Sequence, residues 1–194
     1  PLNHRAEDDL PVPVVSSDWQ AMGECATGAL LDRGHRRIAF VSGELKPGMW
    51  HARCLSGYVT AHVHAQLAVD PQLVFNVPEA QSAGPAAAQG VLAMTERPTA
   101  YVCINVGTAS RFVSAMNKAG QHAGPDNVVI CGMPYLLREL DMERFPVVTM
   151  DPDKIMDAAI TQLRAKCAHL SALNTTTLVP FNTHNLSTIR HLEA

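Results

Sequence analysis

The sequence has little charge, few aromatic side chains and no long apolar run. Charged residues make up 17% of the 194 residues and aromatic residues 5%, whereas hydrophobic residues reach 47%. That much apolar surface can offset the entropy lost on ordering, so a disordered charged segment is excluded. The formal net charge of -3 argues against a free-standing nucleic-acid binder, which carries a basic excess. No run of about 18 apolar residues occurs, so we expect no transmembrane helix.

The five cysteines lack the spacing of a disulfide framework or of a metal site. They stand at positions 25, 54, 103, 131 and 167, and no CxxC motif occurs. This pattern predicts free thiols in a reducing compartment, and therefore a cytoplasmic protein. The first residues, PLNHRAEDDL, contain no initiator Met and no apolar signal segment, and we expect the chain to be part of a longer protein.

Motifs for nucleotide binding and catalysis are also missing. GxGxxG, GxxxxGKS/T and GxSxG do not occur, and no acid–base or nucleophile–base pair can be assembled from the sequence. His62 and His64 are two residues apart, so on a helix they point to different faces and do not predict a metal site. His35 is interpreted as a structural connector that hydrogen-bonds nearby backbone. We therefore expect no enzyme activity, no cofactor and no bound metal.

Apolar strand-like segments and amphipathic helix-like segments alternate along the chain. Continuous apolar runs such as RIAFVSG (37–43) and NVVICGM (127–133) are typical of strands buried on both faces. Asp18 and Asp151 stand where helix N-caps are expected. Helices are predicted over 19–34, 52–67, 82–96, 107–120 and 151–170, and TTTLVPFNTHN predicts one terminal strand. The alternation predicts a doubly wound parallel α/β fold, whose ligand crevice lies at the strand ends.

Five segments, in order, resemble the LacI/GalR family of bacterial transcriptional regulators. LLDRGHRRIAFVSG (30–43) resembles its helix–GHRRIA–strand signature, and CLSGYVTAHVHAQLAVDPQLV (54–74) resembles its R-L-x-G-Y helix with the following D-P-x-L-V. RPTAYVCIN (97–105), AGQHAGPDNVVICGM (119–133) and FPVVTMDPDKIMDAAITQL (145–163) resemble the family's later elements. GHRRIAF is a specific signal, and the other segments are weak singly but strong together. They extend across essentially the whole chain.

The resemblance implies an effector-binding and dimerisation core with a type I periplasmic-binding-protein-like fold of two doubly wound parallel-sheet subdomains. It assigns residues 1–78 to part of the N-terminal subdomain, 79–150 to the C-terminal subdomain, and 151–194 to a crossover helix and terminal strands. The family's DNA-binding helix-turn-helix is not in this chain. The implied protein is a cytoplasmic homodimeric regulator, in the first place a repressor, that binds an effector between its lobes and operator DNA through a separate domain. The alternative is a solute-binding protein of a sugar-type transporter.

The resemblance also implies an effector site in which three polar residues of the family are replaced. Cys54 stands at the place of the family's effector-binding Arg, with Arg53 one position early. Val106, beside a matching Asn105, and Pro134 stand where the family has Asp. Because such carboxylates grip sugar hydroxyls by charge-assisted hydrogen bonds, we expect a more apolar cleft. Three alternatives follow: the effector is unlike a sugar, the protein has lost control by an effector, or other residues bind the effector in place of the three that are replaced.

Eight residues are candidates for contact with the effector, and three are candidates for the dimer interface. Trp19 could stack on a ligand ring or fill the core. Cys54 could be a redox sensor if Arg53 lowered its pKa, or a plain small-residue substitution. The candidate effector-binding residues are Asp18, Trp19, Trp50, Arg53, Cys54, Asn105, Pro134 and Tyr135. The candidate dimer contacts are Phe112, Leu136 and Leu140.

Overall fold

The computed structural model describes residues 13–77, 82–133, 137–138, 142–167 and 176–192. Within these ranges the chain forms the strands β1 (Val14–Ser17), β2 (Ile38–Ser42), β3 (Val74–Asn76), β4 (Ala100–Ile104), β5 (Val128–Gly132), β6 (Val147–Met150), β7 (Thr176–Val179) and β8 (Phe181–His184). The helices are α1 (Trp19–Leu31), α2 (Trp50–His64), α3 (Ala83–Ala93), α4 (Val106–Lys118) and α5 (Pro152–Cys167). The predicted α/β alternation is confirmed. Among the described helices, none is long and apolar enough to cross a membrane.

The strands form two separate sheets. A six-stranded sheet has the order β3-β2-β4-β5-β6-β8, with β8 antiparallel to β6 and the other pairs parallel, and β1 pairs with β7 in a two-stranded parallel sheet. β2, β4 and β5 are buried along their whole length, as their continuous apolar sequences predict. Helices α1 and α2 pack together on one face of the large sheet, and α3 and α4 pack together on the other.

The sheets correct the predicted division of the chain at residues 78 and 150. β2 pairs with β4 across residue 78, and β6 pairs with β8 across residue 150. The six-stranded sheet therefore contains strands from all three predicted segments. Strand sequences that are apolar on both faces do not specify their neighbours, so the sequence could not show which strands share a sheet.

The predicted single terminal strand is two strands in different sheets. β7 joins β1, and after Pro180 the chain continues as β8, which pairs with β6. Proline has no N–H to donate to a strand ladder, which suits a position where the chain leaves one sheet for the other. The prediction of one continuous strand was therefore wrong.

The two sheets are joined at three points, each at the carboxyl end of a strand. β1 passes through Asp18 into α1, which packs on the large sheet, and β6 passes through Asp151 into α5, which packs on β1 and β7. The third connection is Pro180, between β7 and β8. The carboxyl ends of strands from both sheets therefore face a common edge.

Two glycines allow helices α1 and α2 to pack with their backbones in contact. A Cβ atom at Gly23 would overlap the carbonyl group of Cys54, and one at Gly57 would overlap the carbonyl of Gln20 and the amide of Glu24. The obstructing atoms belong to the backbone, which cannot rotate away as a side chain can. Gly57 is the glycine of the segment that resembles R-L-x-G-Y, so this motif residue has a packing role.

One flank of α5 carries exposed apolar side chains. Met156, Ile160 and Leu163 are spaced i, i+4, i+7 and are 51%, 40% and 64% exposed, whereas Ile155 on another face of the helix is buried. Spacing of this kind places the three side chains on one stripe of the helix. No element of the described chain covers this stripe.

His35 is a buried connector between distant segments, not a partner of nearby backbone. Its Nε2 donates to the carbonyl of Arg190 over 3.2 Å, and its Nδ1 lies 3.0 Å from the hydroxyl of Thr99. The side chain of Arg33 likewise donates to the carbonyl of Ile189. The structural role predicted for His35 is thus confirmed, but its partners lie far away in sequence. The segment at 189–192 is held against the GHRR turn by these bonds.

We expect the stability of the protein to fall as the pH drops below 6.5, in part because of His35. Burial lowers the pKa of His35 from its ordinary 6.5. Between the two pKa values the unfolded state binds a proton at this histidine and the folded state does not. The free energy of unfolding is therefore highest above pH 6.5 and falls as the pH drops from 6.5 toward the pKa of the folded state. Urea unfolding at pH 7.5 and 5.5 measures the difference.

The variant His35→Gln should reduce this pH dependence, whatever it does to stability at a single pH. His64→Gln is the matched control, because its side chain is 70% exposed and contacts Glu24 at the surface. A wild-type pH dependence in His35→Gln would contradict the expectation.

Candidate functional site

The candidate site lies at the edge where the carboxyl ends of β1, β2, β4, β5 and β6 meet. In open parallel sheets this edge is where ligands bind, because loops there can diverge to form a crevice. The residues that reach it follow directly after strands or begin the next helix. They include Asp18 and Trp19 after β1, Ser42 at the end of β2, Asn105 after β4, and Asp151 after β6.

Three rings pack against one another at a tilt at one side of this edge. The ring centroids of Trp19 and Trp50 are 4.7 Å apart, and those of Trp50 and His51 are 3.9 Å apart. Trp19 is nearly buried, at 3% exposure, and belongs to the core, whereas Trp50 is half-buried. Of the two roles predicted for Trp19, stacking on a ligand or filling the core, filling the core therefore applies to most of its ring. Trp50, which packs against it, is the more exposed of the two rings.

Four buried polar atoms at this edge have no hydrogen-bond partner within the described part of the chain. They are the indole Nε1 of Trp19, the hydroxyls of Ser42 and Thr108, and Nε2 of His51. A buried polar atom left unpaired costs about 1–3 kcal/mol. Native structures pair such atoms with protein, water or ligand, so we expect water or a small molecule to complete their hydrogen bonds at this edge.

His51 can present a neutral acceptor to the site. Its Nδ1 donates to the carbonyl of Glu44 at 3.3 Å, and burial lowers its pKa below the ordinary 6.5. With Nδ1 as the donor, Nε2 of the neutral ring carries a lone pair. His51 is thus suited to accept a hydrogen bond from a ligand.

Asn105 has a strained backbone at the end of β4. Its φ of 71° and ψ of 151° lie in a region that is essentially restricted to glycine and costs about 1–3 kcal/mol. Two bonds hold it there: its side chain accepts from the amide of Thr108 at 2.7 Å, and its own amide donates to the carbonyl of Cys131 at 2.7 Å. Strain maintained in this way is typical of ligand-binding positions.

The two aspartates at the connections between sheets are helix caps. Asp18 accepts from the amide of Ala21 at 2.9 Å and so caps α1. Asp151 accepts from the amide of Lys154 at 3.1 Å, and also contacts the ammonium of Lys154 and the amide of Asn182. The backbone and side-chain bonds from Lys154 lower the pKa of Asp151. The predicted caps are present, and each leaves its aspartate at the site edge.

Cys54 is not a ligand contact, contrary to the prediction. It is fully buried where α2 meets α1 at Gly23. Burial raises the pKa of its thiol far above the ordinary 9.0, so the thiolate that a redox sensor requires does not form. The small-residue interpretation is the one that fits. Arg53, its neighbour, is half-buried.

The dimer prediction for Phe112 is also wrong. Phe112 is fully buried in the core under α4, with its ring centroid 4.8 Å from that of Tyr101. Its position on α4 was inferred from the resemblance, but the face that it occupies is turned to the sheet. The other predicted contacts, Leu136 and Leu140, and the predicted site residues Pro134 and Tyr135 lie outside the described residues.

The candidate effector-binding residues predicted from the sequence did not include Ser42, His51, Thr108 or Asp151. Ser42 lies near the end of a predicted strand, and the other three lie at the start of a predicted helix or just before it, so the strand-end rule could have pointed to them. Their unpaired atoms, however, become visible only when the burial of each atom is known. Across the described residues, no group of three or more His, Cys, Asp or Glu could hold a metal ion.

The fold and the site define a periplasmic-binding-protein-like α/β domain, the class whose ligand edge lies outside the carboxyl ends of its strands. Residues 2–166 match the profile of the periplasmic binding proteins and sugar binding domain of the LacI family. The chain belongs to this family. The resemblance and the fold class expected from the sequence are both confirmed.

Relatives with established names are repressors and catabolite regulators. The chain is 32% identical over 137 residues to the ribose operon repressor of Haemophilus influenzae, matching 63% of this chain and 41% of that protein. It is 34% identical over 113 residues to catabolite control protein A of Priestia megaterium, matching 58% of this chain and 33% of the relative. The chain thus spans well under half of these relatives.

Solved structures share the fold. The transcription regulator CcpA of Lactococcus lactis superposes with a TM-score of 0.77 at 21% identity, covering 94% of this chain and 66% of that one. A transcription regulator from Lactobacillus plantarum superposes with a TM-score of 0.77 at 18% identity, covering 98% and 72%. These relatives are regulators and not enzymes.

Proposed function

We propose that the chain is the effector-binding part of a bacterial transcriptional regulator. A small molecule binds at the edge between the two sheets, and its binding changes the affinity of the whole protein for operator DNA. The observation that carries the proposal is the set of unpaired buried atoms of Trp19, Ser42, His51 and Thr108, located at the carboxyl-end edge where open parallel sheets bind ligands. The repressor relatives favour a regulator over a transporter's solute-binding protein.

In this proposal the conformational change takes place at the three connections between the sheets. Two of them, at Asp18 and Asp151, are helix caps, and the third is Pro180. A ligand that contacts residues of both sheets binds a closed arrangement better than an open one, and so shifts the equilibrium between them. The shift reaches the DNA-binding part of a cytoplasmic homodimer. A coupling of this kind is reciprocal between effector and DNA.

The effector class that best fits the described residues is a flat apolar or aromatic molecule. Trp50 offers a half-buried ring that packs at a tilt against Trp19. The site still offers neutral hydrogen-bonding atoms from Ser42, His51 and Thr108. Such a set can orient a heteroaromatic ring by a few directed bonds while stacking supplies most of the affinity.

We expect aromatic acids or nucleobases to quench or shift the tryptophan fluorescence of the protein and to raise its melting temperature. Benzoate, adenine, ribose and glucose are the probes. Trp50→Ala should weaken binding of the active probe by about two- to tenfold, since contact with an aromatic ring contributes about 0.5–1.5 kcal/mol beyond area burial. Isothermal titration calorimetry measures the affinity.

Val59→Ala is the matched control, because Val59 lies on the same helix with 38% of its surface exposed. Binding to this variant should equal that of the wild type. A strong response to ribose or glucose would contradict the aromatic effector class. Full binding to Trp50→Ala would contradict the position of the ligand.

A further inference from the structure

A second pocket lies at the opposite end of the large sheet, near the amino ends of β4 and β5. Its volume is about 310 Å³, at the lower end of the range for small-molecule sites. Its floor consists of Tyr101, Met116 and Asn127, which are buried. Its walls come from three separate segments, at 97–99, 121–122 and 190.

The walls of this pocket are cationic. Arg97, Arg190 and His122 line it together with the neutral Gln121 and Thr99, and no carboxylate is among its described lining residues. The carboxylate of Asp126 lies beside the pocket, where it bonds Nε2 of His122 at 2.6 Å and lies 4.0 Å from Nε of Arg190. Counting only the two guanidinium groups and this carboxylate, the pocket has a net positive charge.

Arg97 is held in place without being neutralised, whereas the guanidinium of Arg190 lies 4.0 Å from the carboxylate of Asp126. Among the described residues, the guanidinium of Arg97 donates to two neutral oxygens, the side-chain carbonyl of Gln121 at 2.8 Å and the backbone carbonyl of Leu92 at 3.2 Å. The backbone of Arg190 donates to the carbonyl of Asp126 at 2.8 Å and accepts from His35. A guanidinium held by neutral partners retains N–H donors and its full charge for an anion.

We propose that this pocket binds a small organic or inorganic polyanion, bearing carboxylate or phosphate groups, between Arg97 and Arg190. The size of the pocket excludes a macromolecule as the occupant of its floor. Bidentate pairing of guanidinium with carboxylate or phosphate supplies the affinity. Because Arg190 belongs to the segment that His35 and Arg33 hold against the large sheet, the anion fastens this segment to the turn before β4. The site is separate from the effector edge.

Isothermal titration calorimetry with citrate and with pyrophosphate, at constant ionic strength set by sodium chloride, tests the proposal. We expect at least one of the two to bind the wild-type chain with a dissociation constant below about 1 mM, since two charge-assisted pairs form. Tighter binding of citrate identifies a carboxylate site, and tighter binding of pyrophosphate identifies a phosphate site. Absence of binding by both probes would overturn the proposal.

Three variants locate the binding. Arg97→Gln and Arg190→Gln should each weaken it by about tenfold or more, because each removes one charge-assisted pair. Arg190→Gln keeps the backbone bonds of residue 190, so it remains informative if Arg97→Gln proves unstable by circular dichroism. Arg164→Gln removes an equal charge from the exposed face of α5 and should bind as the wild type does. Equal weakening in all three would show nonspecific attraction and would overturn the proposal.

Discussion

Replacing Gly23 with valine is expected to destabilise the fold by about 3 kcal/mol or more. A Cβ at this position would overlap the carbonyl oxygen of Cys54 and lie within 2.9 Å of two further backbone atoms of that residue. Relief requires α1 and α2 to separate, which opens the packed interface that buries Cys54 and Tyr58. Domains of this size are typically stable by only about 5–15 kcal/mol, so the variant will lose a large part of its stability.

Gly28→Ala, in the same helix, is the matched control. A Cβ at Gly28 meets nothing within 4 Å, and alanine restricts the unfolded chain more than glycine does. We expect a gain of about 0.5–1 kcal/mol. Guanidinium unfolding followed by circular dichroism measures both variants. A Gly23→Val variant as stable as the wild type would show that the close helix contact is absent in solution.

Truncating Tyr58 to alanine is expected to cost about 3–5 kcal/mol. Tyr58 is fully buried on α2, its ring centroid lies 5.4 Å from that of Phe40, and its hydroxyl donates to the carbonyl of Ile38 at 2.8 Å. The large cavity left behind cannot close, because β2 and α1 surround it. The side chain thus fastens α2 to the strand of the GHRRIAF segment.

Tyr58→Phe separates the contribution of the ring to stability from that of the hydroxyl group. This variant keeps the ring packing and loses one hydrogen bond, for which we expect about 0.5–1.5 kcal/mol. Val59→Ala, at the adjacent exposed position, should change stability by no more than about 0.5 kcal/mol. If Tyr58→Phe were as damaging as Tyr58→Ala, the packing explanation would fail.

The order of strands and helices could be predicted because each is a local property. Apolar runs such as 127–133 became β5, and the caps at Asp18 and Asp151 began α1 and α5. Periodicity and capping depend on residues within a few positions of each other, so one sequence is enough to detect them. The family resemblance rests on the same kind of local segments.

The site was predicted less well, because its composition depends on contacts between distant residues. Cys54 occupied the motif position of a ligand-binding Arg, yet its side chain packs under α1. Asn105 was expected at the site, but its strained φ and its role as the cap of α4 required coordinates. The unpaired atoms of Ser42, His51 and Thr108 are defined by burial, which no local pattern reports.

The amino-acid sequence alone determined the α/β class, the positions of most elements and the family, since these follow from hydrophobic periodicity, helix caps and motif segments. Only the tertiary structure decided which strands share a sheet, where the chain crosses between sheets, and which motif residues face solvent, core or ligand. The physical reason is that strand pairing and burial arise from packing between residues far apart in the chain. Neither the pocket lined by Arg97 and Arg190 nor the packed rings of Trp19, Trp50 and His51 could be located without it.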